Sequence, residues 1–218
     1  MHILWGLFVS LAIDFGMFAM GMLLFRIPLQ GKFKMIVIAS ITSASLSWII
    51  HYVLDWDLIQ PLLFVLIHAL QIYYMLRISK IQAIILSFMG CLSHTVLLAV
   101  VMFIFVWHAG YSYEYLFYNN EIEVVVKTAT LALHVLLCYL LERNRWGFTF
   151  ISGYGNHKSY WKSQRKLSLV LLGSFFVFSF AYYAVTLHIS LLLWIAIGFF
   201  ILLGAILYLL YKKEMEDP

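Results

Sequence analysis

Residues 167–211 form an almost unbroken apolar run, too long for one membrane crossing. As a single helix the run would be roughly 65 Å long at about 1.5 Å per residue, about twice the hydrocarbon thickness of a bilayer. It must fold back on itself, and "VTLHIS", 185–190, is the best turn, with Ser190 placed to cap the second helix. The rest of the 218-residue chain agrees: 64% of it is hydrophobic and only 11% charged, with a mean hydropathy of +0.95. A soluble domain carries about 25% charged residues, so water is not the solvent for most of this chain. The apolar runs do not alternate with polar residues as barrel strands do, and only helices or closed barrels satisfy the backbone in lipid. The expected fold is all-α, a polytopic transmembrane bundle forming a single membrane domain over 1–218 with no soluble domain.

Seven spans are expected, at about 2–25, 33–54, 58–76, 81–107, 122–142, 167–187 and 189–211. Basic residues orient them. Arg26, Lys32 and Lys34 follow the first span, Arg77 and Lys80 the third, Arg143, Arg145, Lys158, Lys162, Arg165 and Lys166 the fifth, and Lys212 and Lys213 the last. All fall on one side and only Lys127 on the other, so the positive-inside rule predicts an outer N-terminus and an inner C-terminus. No basic residue precedes residues 2–25, which read as a span rather than a cleaved signal peptide. The expected location is the plasma membrane, multi-pass. The pI near 9.0 follows from these anchors; contact with anionic lipid accounts for it, and nucleic acid is not an expected partner.

Two polar surfaces stand out. The inner segment 143–166 is basic, aromatic and glycine-bearing, with Trp146 and Trp161 as interfacial anchors. Arg143, Arg145, Lys158, Lys162, Arg165 and Lys166 are candidates there for docking a partner protein or lipid headgroups. Outside, Asp55 and Asp57 bound the second and third spans, and "HAGYSYEYLFYNNEIE", 108–123, is acidic and aromatic. It reads either as an aromatic belt or as a rim for a cationic or amphipathic peptide, with Tyr111, Tyr113, Glu114, Tyr115 and Glu121 as candidates. Lys127 is expected to pair with Glu123 one turn away.

Ionisable groups inside a membrane are costly and face the bundle interior. Asp14, His68, His94 and His134 fall at similar depths on four spans. Each lies on a face of small or polar residues: Gly6, Ser10 and Gly21; Pro61 and Gln71; Ala83, Ser87, Gly90 and Cys91; Lys127, Thr130 and Cys138. The second span offers Ser40, Ala44, Ser47 and His51. Such faces let helices approach and bond across, so spans one to five should form one core. Asp14, His68, Gln71, Cys91, His94 and His134 are the candidate buried site, read as structural hydrogen-bonding, as a ligand- or proton-sensing cluster, or as ligands to haem or metal. No haem or di-iron spacing is present, and neither a cofactor nor a metal is expected. Cys91 and His94 stand three apart, but no acid orients the histidine and a buried thiol is ordinarily inert. An enzyme is not expected.

Two segments, "LFRIPLQGKFKMIVIAS" and "MLRISKIQAIILSFMG", each leave one helix through Arg-Ile and enter the next, which suggests two related hairpins or a shared way of anchoring inner loops. At "LFRIPLQGKFK", 24–34, followed by "YMLRISKIQAIILSFMGCLSHTVL", 74–97, the chain resembles the N-terminal membrane sensor region of Bacillota quorum-sensing histidine kinases of the accessory-gene-regulator type. The resemblance covers roughly residues 1–140. It implies a multispan module that detects an extracellular peptide. It supplies no ligand-contact residue. In that family a cytoplasmic kinase follows, whereas this sequence stops at Pro218 with no phospho-acceptor or ATP site. The expectation is therefore a bacterial sensor acting through a cytoplasmic or membrane partner, a homodimer included, or a piece of a longer kinase. A permease-like transporter subunit using the Asp/His layer is the alternative, and a haem- or metal-binding membrane protein the third.

Overall fold

The computed structural model describes residues 2–52, 60–112, 115–116, 119–149, 173–174, 177 and 192–216. Within them lie six long helices: α1 His2–Leu23, α2 Phe33–Tyr52, α3 Gln60–Leu76, α4 Lys80–Ala109, α5 Asn120–Asn144 and α6 Leu192–Glu216. They match six of the seven expected spans in order, with ends displaced by a few residues. Of the span expected at 167–187 only residues 173–174 and 177 are described, and the turn at 185–190, Asp55, Asp57, Tyr113, Glu114, Lys158, Trp161, Lys162, Arg165 and Lys166 lie outside the described residues.

Among the described residues, four segments are long and apolar enough to cross a membrane: Phe33–Ile50, Lys80–Ala109, Glu121–Asn144 and Trp194–Lys212. Phe8–Leu23 and Leu62–Leu76 are shorter apolar helices. Only 17% of each of the Glu121–Asn144 and Trp194–Lys212 windows is buried. Most of their apolar side chains therefore face outward, an arrangement that suits lipid and not water.

Local chemistry fixes the helix ends. Ser79 caps α4 with a reciprocal box: its hydroxyl accepts from the Gln82 backbone N–H (3.3 Å) while the Gln82 side chain accepts from the Ser79 N–H (3.0 Å). Asn119 caps α5 by accepting from the N–H groups of Glu121 and Ile122. Glu121 and Glu123 in the first turn and Arg143 in the last complement the α5 dipole. α1 and α5 end in the same left-handed closure. Arg26 (φ 51°) donates to Leu23 and Ile27 to Met22; Arg145 (φ 51°) donates to Glu142 and Trp146 to Leu141. These are the paired bonds of a Schellman end. α3 closes on the simpler version, with Arg77 (φ 52°) donating to Tyr73. Ile27 and Ile78, the residues after two of these arginines, are buried, which explains the recurring Arg-Ile exit.

α4 is the centre of the bundle and packs on α1, α3, α5 and α6, while α1 also meets α2 and α5, and α2 meets α3. The closest crossing is α1 on α4. A Cβ on Gly21 would sit 2.5 Å from the Leu86 carbonyl oxygen, and one on Gly90 would strike that of Met17. Small residues of this kind let membrane helices touch backbone to backbone. Because the last turn of α1 meets the first third of α4, the two run antiparallel. α1 and α5 run parallel: Gly16 faces His134, and past both helices the Phe148 N–H donates to Leu24 O (2.8 Å). The C-terminal ends of α1, α3 and α5 therefore share one end of the bundle with the start of α4. That end carries Arg26, Lys32, Lys34, Arg77, Lys80, Arg143 and Arg145; Glu121, Glu123 and Lys127 lie toward the other.

Polar bonds stitch the core. Gln71 accepts from the Ser43 hydroxyl (2.8 Å) and donates to Thr42 Oγ1 (2.7 Å) and Ala39 O (3.3 Å), tying α3 to α2. Ser87 donates to Val65 O (2.7 Å), tying α4 to α3. Gln71→Leu would strand the fully buried Ser43 hydroxyl, and is expected to cost about 1–2 kcal/mol, read as a lowered thermal midpoint in detergent. A midpoint unchanged by the substitution would remove this tie from the account.

Candidate functional site

The predicted buried residues fall into neighbouring but distinct settings. Gln71 belongs to the α2–α3 tie, with both ends of its amide bonded. His68, 1% exposed, is held between the rings of Phe18 (centroids 4.1 Å apart) and Phe64 (4.2 Å), and its Nε2 has no partner. The helix period explains the sandwich: Phe64 lies one turn before His68 on α3, and Phe18 comes from the face of α1 that also carries Asp14.

Asp14, 7% exposed, lies near Cys91 on α4, which is itself buried. His94 turns to another partner. Its ring stacks on that of His134 at 5.5 Å with 10° between planes, which joins α4 to α5. Gly16 of α1 makes room for this pair, since a Cβ there would lie 3.4 Å from the His134 ring. Both nitrogens of His134 and Nδ1 of His94 are buried without a hydrogen-bond partner. Orphaned buried donors and acceptors are rare because each costs about 1–3 kcal/mol. Here three lie in one stacked pair.

The arrangement restricts the chemistry. Face-to-face imidazoles do not aim their nitrogens at a common ion lying between them, and no three His, Cys, Asp or Glu side chains among the described residues are grouped to hold a metal. His94 stacks on the His134 imidazole, and among the described residues no hydrogen bond joins it to Cys91, as thiol catalysis would need.

Toward the acidic end, an open groove of about 630 Å³ runs between α1 and α5. Trp5 forms one wall; Glu121, Val124, Val125, Thr128, Ala129 and Ala132 form the other. Of the outer-rim candidates, Glu121 is in this groove, while Tyr111 and Tyr115 stack on each other at 5.3 Å in the loop before α5. Leu116, 2% exposed, pins that loop onto Val101, Met102 and Val126. Lys127 pairs with Glu123 at 2.6 Å, as the spacing predicts. Trp5 and Thr128 were not singled out from the sequence. The available signal was the recurrence of Glu121, Val124/Val125, Thr128 and Ala132 every three or four residues, which marks one helix face.

At the basic end α1 and α5 are clasped. Gly147 (φ 138°) lies so close to α1 that a Cβ would be 2.7 Å from Leu24 O, and the rings of Phe148 and Phe25 stand 5.9 Å apart. Of the docking candidates described, Arg143 folds back to donate to the Tyr139 hydroxyl (3.2 Å), whereas Arg145 supplies the left-handed closure of α5. The parallel α1–α5 pair thus carries the groove at one end, the Gly16–His134 contact in the middle and the clasp at the other end.

Fold and site together define a helical bundle of membrane type with a lateral groove and unpartnered imidazoles in its core. No family model matches the chain, nor does any curated protein or solved structure.

Proposed function

We propose that the chain is a receptor-like plasma-membrane protein with seven crossings, its N-terminus outside and its C-terminus inside. It takes an amphipathic, cationic peptide in the α1–α5 groove and signals through a partner at the basic end. The groove carries this reading. Trp5 offers a flat apolar wall, Val124, Val125, Ala129 and Ala132 an apolar floor, and Glu121 an anion at the mouth. A positive side chain entering from water meets Glu121, and an apolar one continues along the valines. The collection of basic residues at the opposite end supports the orientation. The likeness of residues 24–34 and 74–97 to accessory-gene-regulator sensor regions favours the same function. A peptide wedged between α1 and α5 acts on the pair that is clasped at Leu24 and Phe148, so movement outside reaches the basic segment without a soluble domain.

The test uses protein in nanodiscs exposed to the peptide fraction of spent medium from the native host. Wild-type protein is expected to retain a peptide detectable by mass spectrometry. The Trp5→Ala/Glu121→Gln double variant should retain at least about tenfold less, since truncating a packed aromatic anchor alone costs about 2 kcal/mol or more. Equal retention by the two proteins, or none by either, overturns the proposal. The orphaned nitrogens of His94 and His134 support transport as the second reading. Failed retention combined with proteoliposome proton uptake that disappears in Asp14→Asn would favour it.

A further inference from the structure

Among the described residues, the only non-glycine positions with positive φ are Arg26, Arg77 and Arg145, at 51°, 52° and 51°. Arg77 and Arg145 directly follow the last residues of α3 and α5, Arg26 stands three past the last residue of α1, and the three helices end together. α4 runs the other way and ends at the opposite face on Gly110, φ 69°. One end of the bundle thus uses glycine for the left-handed closure and the other uses arginine three times.

Glycine is the natural residue for this backbone. A Cβ in the left-handed region is sterically penalised, and asparagine is the usual exception because its short side chain bonds locally. Arginine has no such local advantage. A repeated unfavourable backbone choice at one level of the fold points to a use for the side chain. All three arginines are exposed, and none makes an ion pair or a side-chain hydrogen bond among the described residues. Arg143 differs, being already occupied by Tyr139.

We propose that Arg26, Arg77 and Arg145 form a collar that binds the phosphates of anionic phospholipids around the basic end of the bundle. The left-handed turn brings the chain sharply off the helix axis just where the apolar span ends, which is headgroup depth. Ile27 and Ile78 are buried directly behind two of the arginines, fixing the backbone from which the guanidinium projects. Trp146, next to the third, is exposed and suits the same interface. A guanidinium grips phosphate with a planar fork of donors, whereas Lys32, Lys34 and Lys80 at this end act as point charges. The sites sit on three different helices, so an annulus of separate lipids fits them better than one compact soluble anion. The inference requires the bundle to sit in a bilayer and does not depend on the peptide groove.

Substitution by glycine separates side chain from backbone, because glycine adopts φ near 51° more readily than arginine. The full chain in neutral maltoside micelles would be titrated with phosphatidylglycerol, phosphatidylcholine or inorganic phosphate, reading lipid retention by native mass spectrometry and the thermal midpoint. Wild type should bind phosphatidylglycerol selectively and melt higher with it. Each of R26G, R77G and R145G should weaken phosphatidylglycerol binding about fivefold at its own site, so that one retained lipid is lost per substitution and all three in the triple variant, the scale expected when each basic residue meets an anionic surface. In lipid-free micelles the glycine variants should melt no lower than wild type. A triple Asn variant, neutral but tolerant of the left-handed region, should lose the lipid response equally and serves if the glycine variant does not fold. Undiminished phosphatidylglycerol binding in the triple variant, or no selective binding by wild type, overturns the collar. A midpoint rise reproduced by inorganic phosphate alone overturns its assignment to lipid.

Discussion

Gly90→Ala, the addition of one methyl group, is expected to destabilise the bundle by about 3 kcal/mol or more, at the upper end of the range for overpacked cores. The new carbon would strike the Met17 carbonyl oxygen of α1. That neighbour is backbone and cannot rotate away, so α1 and α4 would have to separate along their whole contact, loosening Phe18, Met22, Leu86 and Met89 together. Gly21→Ala should behave alike, since its Cβ meets Leu86 O at 2.5 Å. Gly204→Ala on α6 is the control: nothing lies within 4 Å of a Cβ there, and alanine is the better helix former. Thermal unfolding of the three variants in one detergent decides the matter. If Gly90→Ala melted with Gly204→Ala, the backbone contact between α1 and α4 would be refuted.

The second large effect runs in the opposite direction. His134→Leu is expected to stabilise the protein by about 1–3 kcal/mol, the penalty of unsatisfied buried polar atoms that leucine removes. His134 is fully buried and neither ring nitrogen has a partner. Replacing such a group by an apolar one of similar size relieves strain rather than creating it. The same variant should lose whatever response the stacked pair supports, because stability given up at one position is commonly a mark of function there. A midpoint that falls by a similar amount would instead show that the imidazole holds the core together, and the pair would lose its standing as a site.

Much of the fold is legible in the chain because lipid leaves few choices. The apolar runs expected to begin at about 33, 81 and 122 become helices that begin at Phe33, Lys80 and Asn120. The small-residue face of the fourth span, Ser87, Gly90 and Cys91, does meet α1 and α3. Partner choice was less accessible. Periodicity shows which face of a helix turns inward but not which neighbour it meets. His94 read as part of one layer with Asp14, His68 and His134, but which of these its ring meets was not legible; it stacks on His134, forty positions later. Gln71 likewise read as part of the Asp/His layer, while its bonds run to Ser43, Thr42 and Ala39 on α2. The α1–α5 groove was hidden for the same reason: Trp5 and Glu121 acquire a common role only once two helices far apart in sequence lie side by side. The arginine closures escaped notice because a left-handed residue is sought among glycine and asparagine.

The position of the Gly21–Gly90 contact has a mechanical consequence. About 28 Å of α1 lies on the N-terminal side of it and only about 3 Å on the C-terminal side, at about 1.5 Å per residue. Two backbones in direct contact can tilt about one another but cannot slide, so any tilt of α1 would pivot almost at its C-terminal tip. Leverage of that kind trades travel for force. A displacement of several ångströms at Trp5 would shrink to less than one at Leu24, and would press with correspondingly greater force on the segment carrying Gly147 and Phe148.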